Sequence, residues 1–197
     1  MLSPENTVLV VIDVQGKLAQ LMCGKEELFA NLQRCIRGAQ VLGIPVIWLE
    51  QNPAGLGPTL PEIAALLEGN QPIGKFCFSC CGSDAFVQAL KETRRKQVLI
   101  TGIETHVCVY QTSVDLLDAG AGYEVQVVAD AVSSRTAENK RIGLDRIRQA
   151  GGSVTGDFRA SLAWFNYDDL DLHLKQPDGS LIWFRSKMDL RTGGNLD

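Results

Sequence analysis

The stretch TVLVVID, residues 7–13, decides the fold class. An unbroken run of apolar residues leads directly into the carboxylate of Asp13. Continuous apolar runs of this length are typical of strands that are covered on both faces, as in a parallel sheet. We therefore predict a buried parallel strand that ends at Asp13, with helices above and below it.

Helical and apolar segments alternate on the C-terminal side of this strand. Apolar residues at 28, 32, 35, 36 and 39 form one stripe of a helix, and further buried strands are predicted at 43–50, 96–103 and 123–132. Such alternation predicts a doubly wound α/β domain over residues 1–155, with a mostly parallel Rossmann-like sheet and helices on both faces.

The pattern changes near Gly156, where we predict a domain boundary. Residues 156–197 alternate apolar and polar side chains with a period of two, and QPDGS at 176–180 has the composition of a turn. This segment predicts a β-hairpin or meander, a β-rich extension that reads as a truncated or fused domain. It weakly resembles part of a small bacterial β-domain of unknown function.

Composition favours an ordinary globular protein over several other classes. The chain of 197 residues is 45% hydrophobic and 21% charged, with a net charge of -4. We expect no nucleic-acid or membrane partner, because a basic surface and an apolar run of about 20 residues are both missing. The expected location is cytoplasmic, with the six cysteines reduced.

Two groups of potential metal ligands have simpler interpretations. CFSCC at 77–81 has a C-x-x-C spacing, but zinc needs a second ligand pair, which His106 and His173 do not supply. Asp169, Asp171 and His173 would share one face of a strand. We interpret the first group as small half-buried residues beside a loop and the second as a solvated strand face. No metal and no cofactor are predicted.

Three residues that could carry chemistry follow predicted strands. In open α/β sheets, ligands bind beyond the carboxyl ends of the strands, and Asp13, Lys75 and Cys108 are predicted there. With Thr105 as N-cap, Cys108 would lie in the first helical turn, where the helix dipole and a nearby lysine favour a thiolate. A turn aspartate, a surface lysine and a core cysteine are the simpler alternatives, and spacing alone does not show that the three converge.

Residues 7–155 resemble the isochorismatase-like cysteine hydrolase family. The resemblance rests on VVIDVQGKL around Asp13, PIGKFCFSCC around Lys75, LITGIETHVCV around Cys108, and VVADAVSSR. It implies that Cys108 is the nucleophile, Asp13 the general base and Lys75 the cation that stabilises the thiolate. It also implies a cis bond between Ile103 and Glu104, and an oxyanion hole made by the amides of Glu104 and Cys108.

The implied reaction is hydrolysis of an amide-type bond in a small molecule through a cysteine thioester. Family nicotinamidases carry an Asp/His metal cluster after the second strand, whereas EQNPAGLGPTLPEI here has no histidine. By position, Trp48, Gln51 and Phe76 are candidates to line the pocket. Family members are often oligomers, so a homo-oligomer is expected. The alternatives are a non-catalytic binding or assembly protein, and an intact triad that the C-terminal segment leaves inactive.

Overall fold

The computed structural model describes residues 2–155 and the backbone of residues 174–175 and 181–182. The strands are β1 (Thr7–Ile12), β2 (Val46–Gln51), β3 (Ile73–Lys75), β4 (Gln97–Ile103), β5 (Glu124–Ser133) and β6 (Ser153–Thr155). The helices are α1 (Gly16–Gln20), α2 (Lys25–Val41), α3 (Pro53–Leu56), α4 (Pro61–Ala64), α5 (Asp84–Thr93), α6 (Tyr110–Asp118) and α7 (Ala137–Gln149). The predicted alternation of strands and helices is confirmed.

The strands form one six-stranded parallel sheet in the order β3-β2-β1-β4-β5-β6. The chain moves outward from β1 in one direction through β2 and β3, and in the other through β4, β5 and β6. The strand order therefore reverses between β1 and β4, which is where doubly wound sheets bind ligands. The doubly wound α/β fold predicted from the sequence is confirmed.

Strand β1 is buried along its whole length because both faces of the sheet are covered. Val8, Val10 and Ile12 pack into a cluster with residues of α5, α6 and α7. Leu9 and Val11 point the other way, into a cluster that includes the predicted apolar stripe of α2. The continuous apolar run of TVLVVI follows from this two-sided burial.

The end of β1 turns sharply at Asp13. Its backbone has a φ of 55°, in the left-handed region that non-glycine residues seldom adopt. On the neighbouring strand β4, Gly102 has a φ of 108°, and a Cβ there would overlap the backbone of Ile12. The two strands thus approach closely where the candidate aspartate leaves the sheet.

The C-terminal part is described only in two short strands. β7 (Leu174–Lys175) and β8 (Leu181–Ile182) pair antiparallel, as the predicted hairpin requires, while the turn at 176–180 lies outside the described residues. Asp169, Asp171 and His173 lie outside them as well. The chain divides into two units, Met1–Arg159 and Ala160–Asp197, and the boundary near Gly156 stays a prediction. No helix among the described residues is long and apolar enough to span a bilayer.

Candidate active site

A buried ion pair joins two of the predicted site residues. Lys75, at the end of β3, donates from Nζ to Oδ2 of Asp13 at 2.7 Å, and both side chains are almost completely buried. Burial lowers the pKa of Lys75, but the charge and hydrogen bond of Asp13, with contributions from Cys80 and Cys108, together outweigh it. The pKa therefore lies above its ordinary value and the ammonium is retained. Burial also raises the pKa of Asp13, against the opposing effect of Lys75.

Three further acceptors surround the ammonium of Lys75. They are the side-chain Oε1 of Gln51 at 2.7 Å and the carbonyl oxygens of Cys77 and Phe78 at 3.1 and 3.2 Å. An ammonium has three N–H donors, so these oxygens and Asp13 share them. The lysine is therefore held from several sides, and its charge is compensated inside the protein.

Cys108 lies in a π-helical turn, Thr105–Val109, that leads from β4 into α6. The prediction of Thr105 as N-cap is wrong, because the N-cap position is Glu104 and Thr105 already belongs to the turn. Thr105 Oγ1 is buried with no hydrogen-bond partner among the described residues. The wider turn accommodates one residue more per hydrogen bond than an α-helix, and Cys108 is its fourth residue.

The predicted preference for a thiolate at Cys108 is wrong for the resting site. Burial and the charge of Asp13 raise the pKa of Cys108 to about 12, although Lys75 and a backbone hydrogen bond from Glu104 act in the opposite direction. The helix terminus and the lysine led to the prediction, but desolvation disfavours any buried charge and outweighs both. The sulfur therefore carries its proton at neutral pH.

The carboxylate of Asp13 lies beside this thiol. The carboxylate and the Cys108 thiol interact directly, each acting on the pKa of the other. Oδ1 is nevertheless buried and makes no hydrogen bond of ordinary geometry with a described residue. The structure thus brings Asp13, Lys75 and Cys108 together, with one oxygen of the carboxylate bound to the lysine.

Glu104 is fixed beside the sulfur by its side chain. Its buried carboxylate accepts from the backbone N–H of Arg135 at 3.1 Å and from the guanidinium Nε at 3.2 Å. The Ile103–Glu104 bond is cis, as the resemblance implied. The Glu104 backbone also forms the hydrogen bond that lowers the pKa of Cys108. Its amide is therefore close to the atom that would attack a substrate.

The three residues expected to line the pocket have different surroundings. Trp48 packs in the hydrophobic cluster on the face of the sheet opposite to that of Cys108, and its Nε1 has no partner among the described residues. Gln51 binds Lys75 through its side-chain oxygen. The side chain of Phe76 is 81% exposed and follows Lys75 directly. The structure therefore brings Gln51 to the ion pair but not Trp48, while Phe76 adjoins Lys75 along the chain with an exposed side chain.

A separate cleft of about 240 Å³ contains none of the three central residues. It is lined by Cys23, Gly24, Glu27, Leu28, Asp130, Val132, Ser133, Ala137 and Lys140. Within residues 2–155, no three His, Cys, Asp or Glu side chains are placed to hold a metal ion. We locate the candidate site by the buried ion pair and the thiol, since these groups can do chemistry together.

Sequence reasoning missed two polar residues beside the site. Gln15 follows Asp13 by two positions and is completely buried. Glu50 is also buried, and one of its oxygens accepts from the backbone N–H and the hydroxyl of Thr59 at 2.6 and 2.8 Å. Polar residues at the ends of otherwise apolar strands were the available signal for both.

Helix α7 packs closely against the turn that contains Cys108. A Cβ added at Gly143 would lie 2.7 Å from the carbonyl carbon and oxygen of Thr105. Gly143→Ala should therefore destabilise the fold by about 1–3 kcal/mol through overpacking, although alanine is the better helix former by about 1 kcal/mol. Urea denaturation would measure this, with the exposed Arg146→Ala in the same helix as control. A Gly143→Ala protein as stable as the parent would contradict the close packing.

A family model described as an isochorismatase domain matches residues 7–157. The chain belongs to the isochorismatase family. The resemblance noted from the motifs is thus confirmed, and the six-stranded α/β sheet is the hydrolase fold of this family.

Named relatives of this isochorismatase-family chain match it over more than three quarters of its length. Isochorismatase domain-containing protein 2 of Macaca fascicularis is 39% identical over 153 residues, 77% of this chain and 72% of the relative. The structure of MAR1 ribonuclease from Caenorhabditis elegans has a TM-score of 0.73 at 39% identity and covers 79% of both chains. The Escherichia coli YcaC product, an octameric hydrolase of unknown specificity, has a TM-score of 0.74 at 25% identity and covers 79% of this chain and 77% of its own.

Proposed function

We propose that the protein is a metal-independent hydrolase that cleaves an amide-type C–N bond of a small molecule through a thioester on Cys108. The observation that carries the proposal is the Asp13 carboxylate beside the Cys108 thiol, with Oδ2 of that carboxylate anchored on Lys75. A nucleophile, a base and a cation that orients the base are the parts that covalent acyl transfer needs.

In the first half-reaction the sulfur attacks the substrate carbonyl carbon while its proton moves to Asp13. The resting thiol has a raised pKa, so attack and proton transfer occur together, and the ammonium of Lys75 stabilises the negative charge. The amides of Glu104 and Cys108 would hold the tetrahedral oxyanion. Asp13 then returns the proton to the leaving nitrogen, and ammonia or an amine departs from the acyl thioester.

In the second half-reaction a water molecule attacks the thioester. Asp13 takes one proton from the water, a second tetrahedral oxyanion forms at the same amides, and the C–S bond breaks. The proton passes from Asp13 to the sulfur, and the carboxylic acid leaves. One amide and one water thus give one acid and one amine, with the thiol restored.

We further propose that the chain forms a homo-oligomer. The similarity to an octameric hydrolase supports this. Two large apolar side chains that follow Lys75 in the chain also support it, since Phe76 is 81% exposed and Phe78 is 56% exposed. Residues 1–155 would form the hydrolase domain and 156–197 a separate β-rich extension. Phe76 remains proposed to face the substrate, whereas the amide of Gln51 is engaged by Lys75 and the Phe76 carbonyl.

The similar Caenorhabditis elegans protein is named a ribonuclease, but we do not extend that activity to this chain. A net charge of -4 does not favour binding of a polyanion, and the three central side chains are buried too deeply for a polymer to reach them without rearrangement. A small substrate fits this burial better.

A screen of small primary and secondary amides, read by release of ammonia or amine, tests the proposal. At least one amide should be hydrolysed by the parent protein, and not by Cys108→Ala prepared in the same way. Added EDTA should leave the rate unchanged. Hydrolysis that persists in Cys108→Ala would refute the thioester route, and a complete lack of turnover would favour a binding or assembly role.

A further inference from the structure

The side-chain amide of Gln51 is held in one orientation. Its Oε1 accepts from Nζ of Lys75 at 2.7 Å, and its Nε2 donates to the carbonyl oxygen of Phe76 at 3.0 Å. Reversing the amide would turn an N–H toward the ammonium and an oxygen toward the carbonyl, so both contacts would become repulsive. The amide oxygen is therefore a fixed acceptor for the lysine.

Strand β1 ends too early to pair with the backbone of Gln51 in β2. Strand β1 pairs with β2 up to Ile12 opposite Leu49, and the Asp13 N–H donates to the Leu49 carbonyl at 3.1 Å. The left-handed backbone of Asp13 then takes β1 out of the sheet. The N–H and C=O of residue 51, which point toward β1, would have no strand partner there.

The side chain of Gln15 takes the place of that missing strand. Its Oε1 accepts from the Gln51 N–H at 2.6 Å, and its Nε2 donates to the Gln51 carbonyl at 3.2 Å and to the Gly57 carbonyl at 2.7 Å. One primary amide thus supplies both a donor and an acceptor, as a paired backbone would. Gln15 is completely buried, so bulk solvent does not reach these contacts.

We propose that Gln15 and Gln51 are positioning residues that hold Lys75, and through it the carboxylate of Asp13, in the geometry needed to activate Cys108. Gln15 fixes the backbone of Gln51, and Gln51 fixes the ammonium. This inference rests on the proposed function, since it concerns the same site. Neither glutamine acts on the reacting atoms, because both work through the lysine.

The neutral amide of Gln51 suits the role of holding the Lys75 ammonium. Gln51 offers the lysine an acceptor without adding charge, so Asp13 stays the carboxylate bound to the ammonium. The neighbouring carboxylate of Glu50 is engaged by Thr59 instead. A glutamate at position 51 would compete for Lys75, and a second negative charge would raise the pKa of Asp13. The two glutamines therefore keep the base both oriented and ionisable.

Alkylation of Cys108 by iodoacetamide, followed by peptide mass spectrometry between pH 5 and 9, tests this without a known substrate. Gln51→Met should slow the reaction about 10–100-fold, the usual effect of misplacing a reactive group by about an ångström. Gln51→Glu should move the acid limb of the pH profile to higher pH. The exposed Gln88→Met, in α5, makes the same chemical change as a control and should leave the rate unchanged.

Gln15→Met should slow alkylation in the same way. The Gln15→Met/Gln51→Met double variant should react little more slowly than either single variant, because both glutamines act on Lys75 through the same contacts. Melting temperatures and circular dichroism identify variants that fail to fold, and Gln51→Met, at a half-buried position, carries the test if Gln15→Met does not fold. Rates and pH profiles that match the parent in folded Gln51→Met and Gln51→Glu would overturn the inference.

Asp13→Asn distinguishes failure of the positioning inference from failure of the proposed function. If it slows alkylation while the folded glutamine variants do not, the positioning inference fails and the proposed function stands. If Asp13→Asn leaves the rate unchanged, the base assignment fails, and the positioning inference fails with it.

Discussion

Replacing Cys108 by alanine should lower kcat/KM for the best amide substrate by about 10⁴-fold or more, because loss of the nucleophile in enzymes of this kind has effects of that size. The stability of the protein should fall by only about 1 kcal/mol, the usual cost of removing one buried group of this size from a site that is 7% exposed. Steady-state kinetics and thermal unfolding would measure the two effects.

Cys35→Ala is the matched control. Cys35 is 6% exposed, and burial raises its pKa to about 12, as for Cys108. It packs in the cluster on the opposite face of the sheet, away from Asp13 and Lys75. Its removal should leave kcat/KM within about a factor of two. Comparable losses in both variants would point to a general packing effect and would speak against nucleophilic catalysis.

Lys75→Met should destabilise the fold by about 3–5 kcal/mol at neutral pH, because removing one partner of a buried ion pair leaves the other charge uncompensated. The methionine fills much of the volume of the lysine stem, so the loss reflects the isolated Asp13 carboxylate. Activity should fall together with stability. Urea denaturation, followed by circular dichroism, would give the free energy of unfolding.

The loss should depend on pH with a defined sign. Without the ammonium, burial raises the pKa of Asp13 in the folded state still further above its unfolded value of about 4. The folded state then binds its proton more tightly, so the variant is least impaired below about pH 4 and loses stability as the pH rises above it. Asp13→Asn/Lys75→Met should recover part of the loss at pH 7. A loss that does not vary with pH would argue against a buried unpaired carboxylate.

The sheet was predictable because two-sided burial leaves a clear pattern. TVLVVI at 7–12 and the stripe on α2 are dictated by what covers them, and both predictions are confirmed. Helices α1 and α3 were not predicted, since five and four residues are too few to show a period of 3.6. The π-turn at Thr105–Val109 was not predicted either, because a local change of hydrogen bonding leaves the sequence pattern unaltered.

The site was predictable only in part. Placing Asp13, Lys75 and Cys108 at strand ends follows from the sequence, but their convergence was implied by the family motifs and not by spacing. The raised pKa of Cys108 depends on burial, which the sequence does not report. The pairing of Gln15 with Gln51 depends on the left-handed turn at Asp13, a backbone feature with no marker in residue type.

If Asp13 activates Cys108, the alkylation rates of two buried cysteines should differ. Cys108 and Cys35 are both buried thiols with raised pKa values. Cys35 is the reference because the charges that act on its pKa are Asp130 and Arg34, not Asp13 and Lys75. At pH 7.5 iodoacetamide should modify Cys108 about 100-fold faster than Cys35, and Asp13→Asn should remove most of this difference. Equal rates for the two cysteines in the parent protein would show that Asp13 does not activate Cys108.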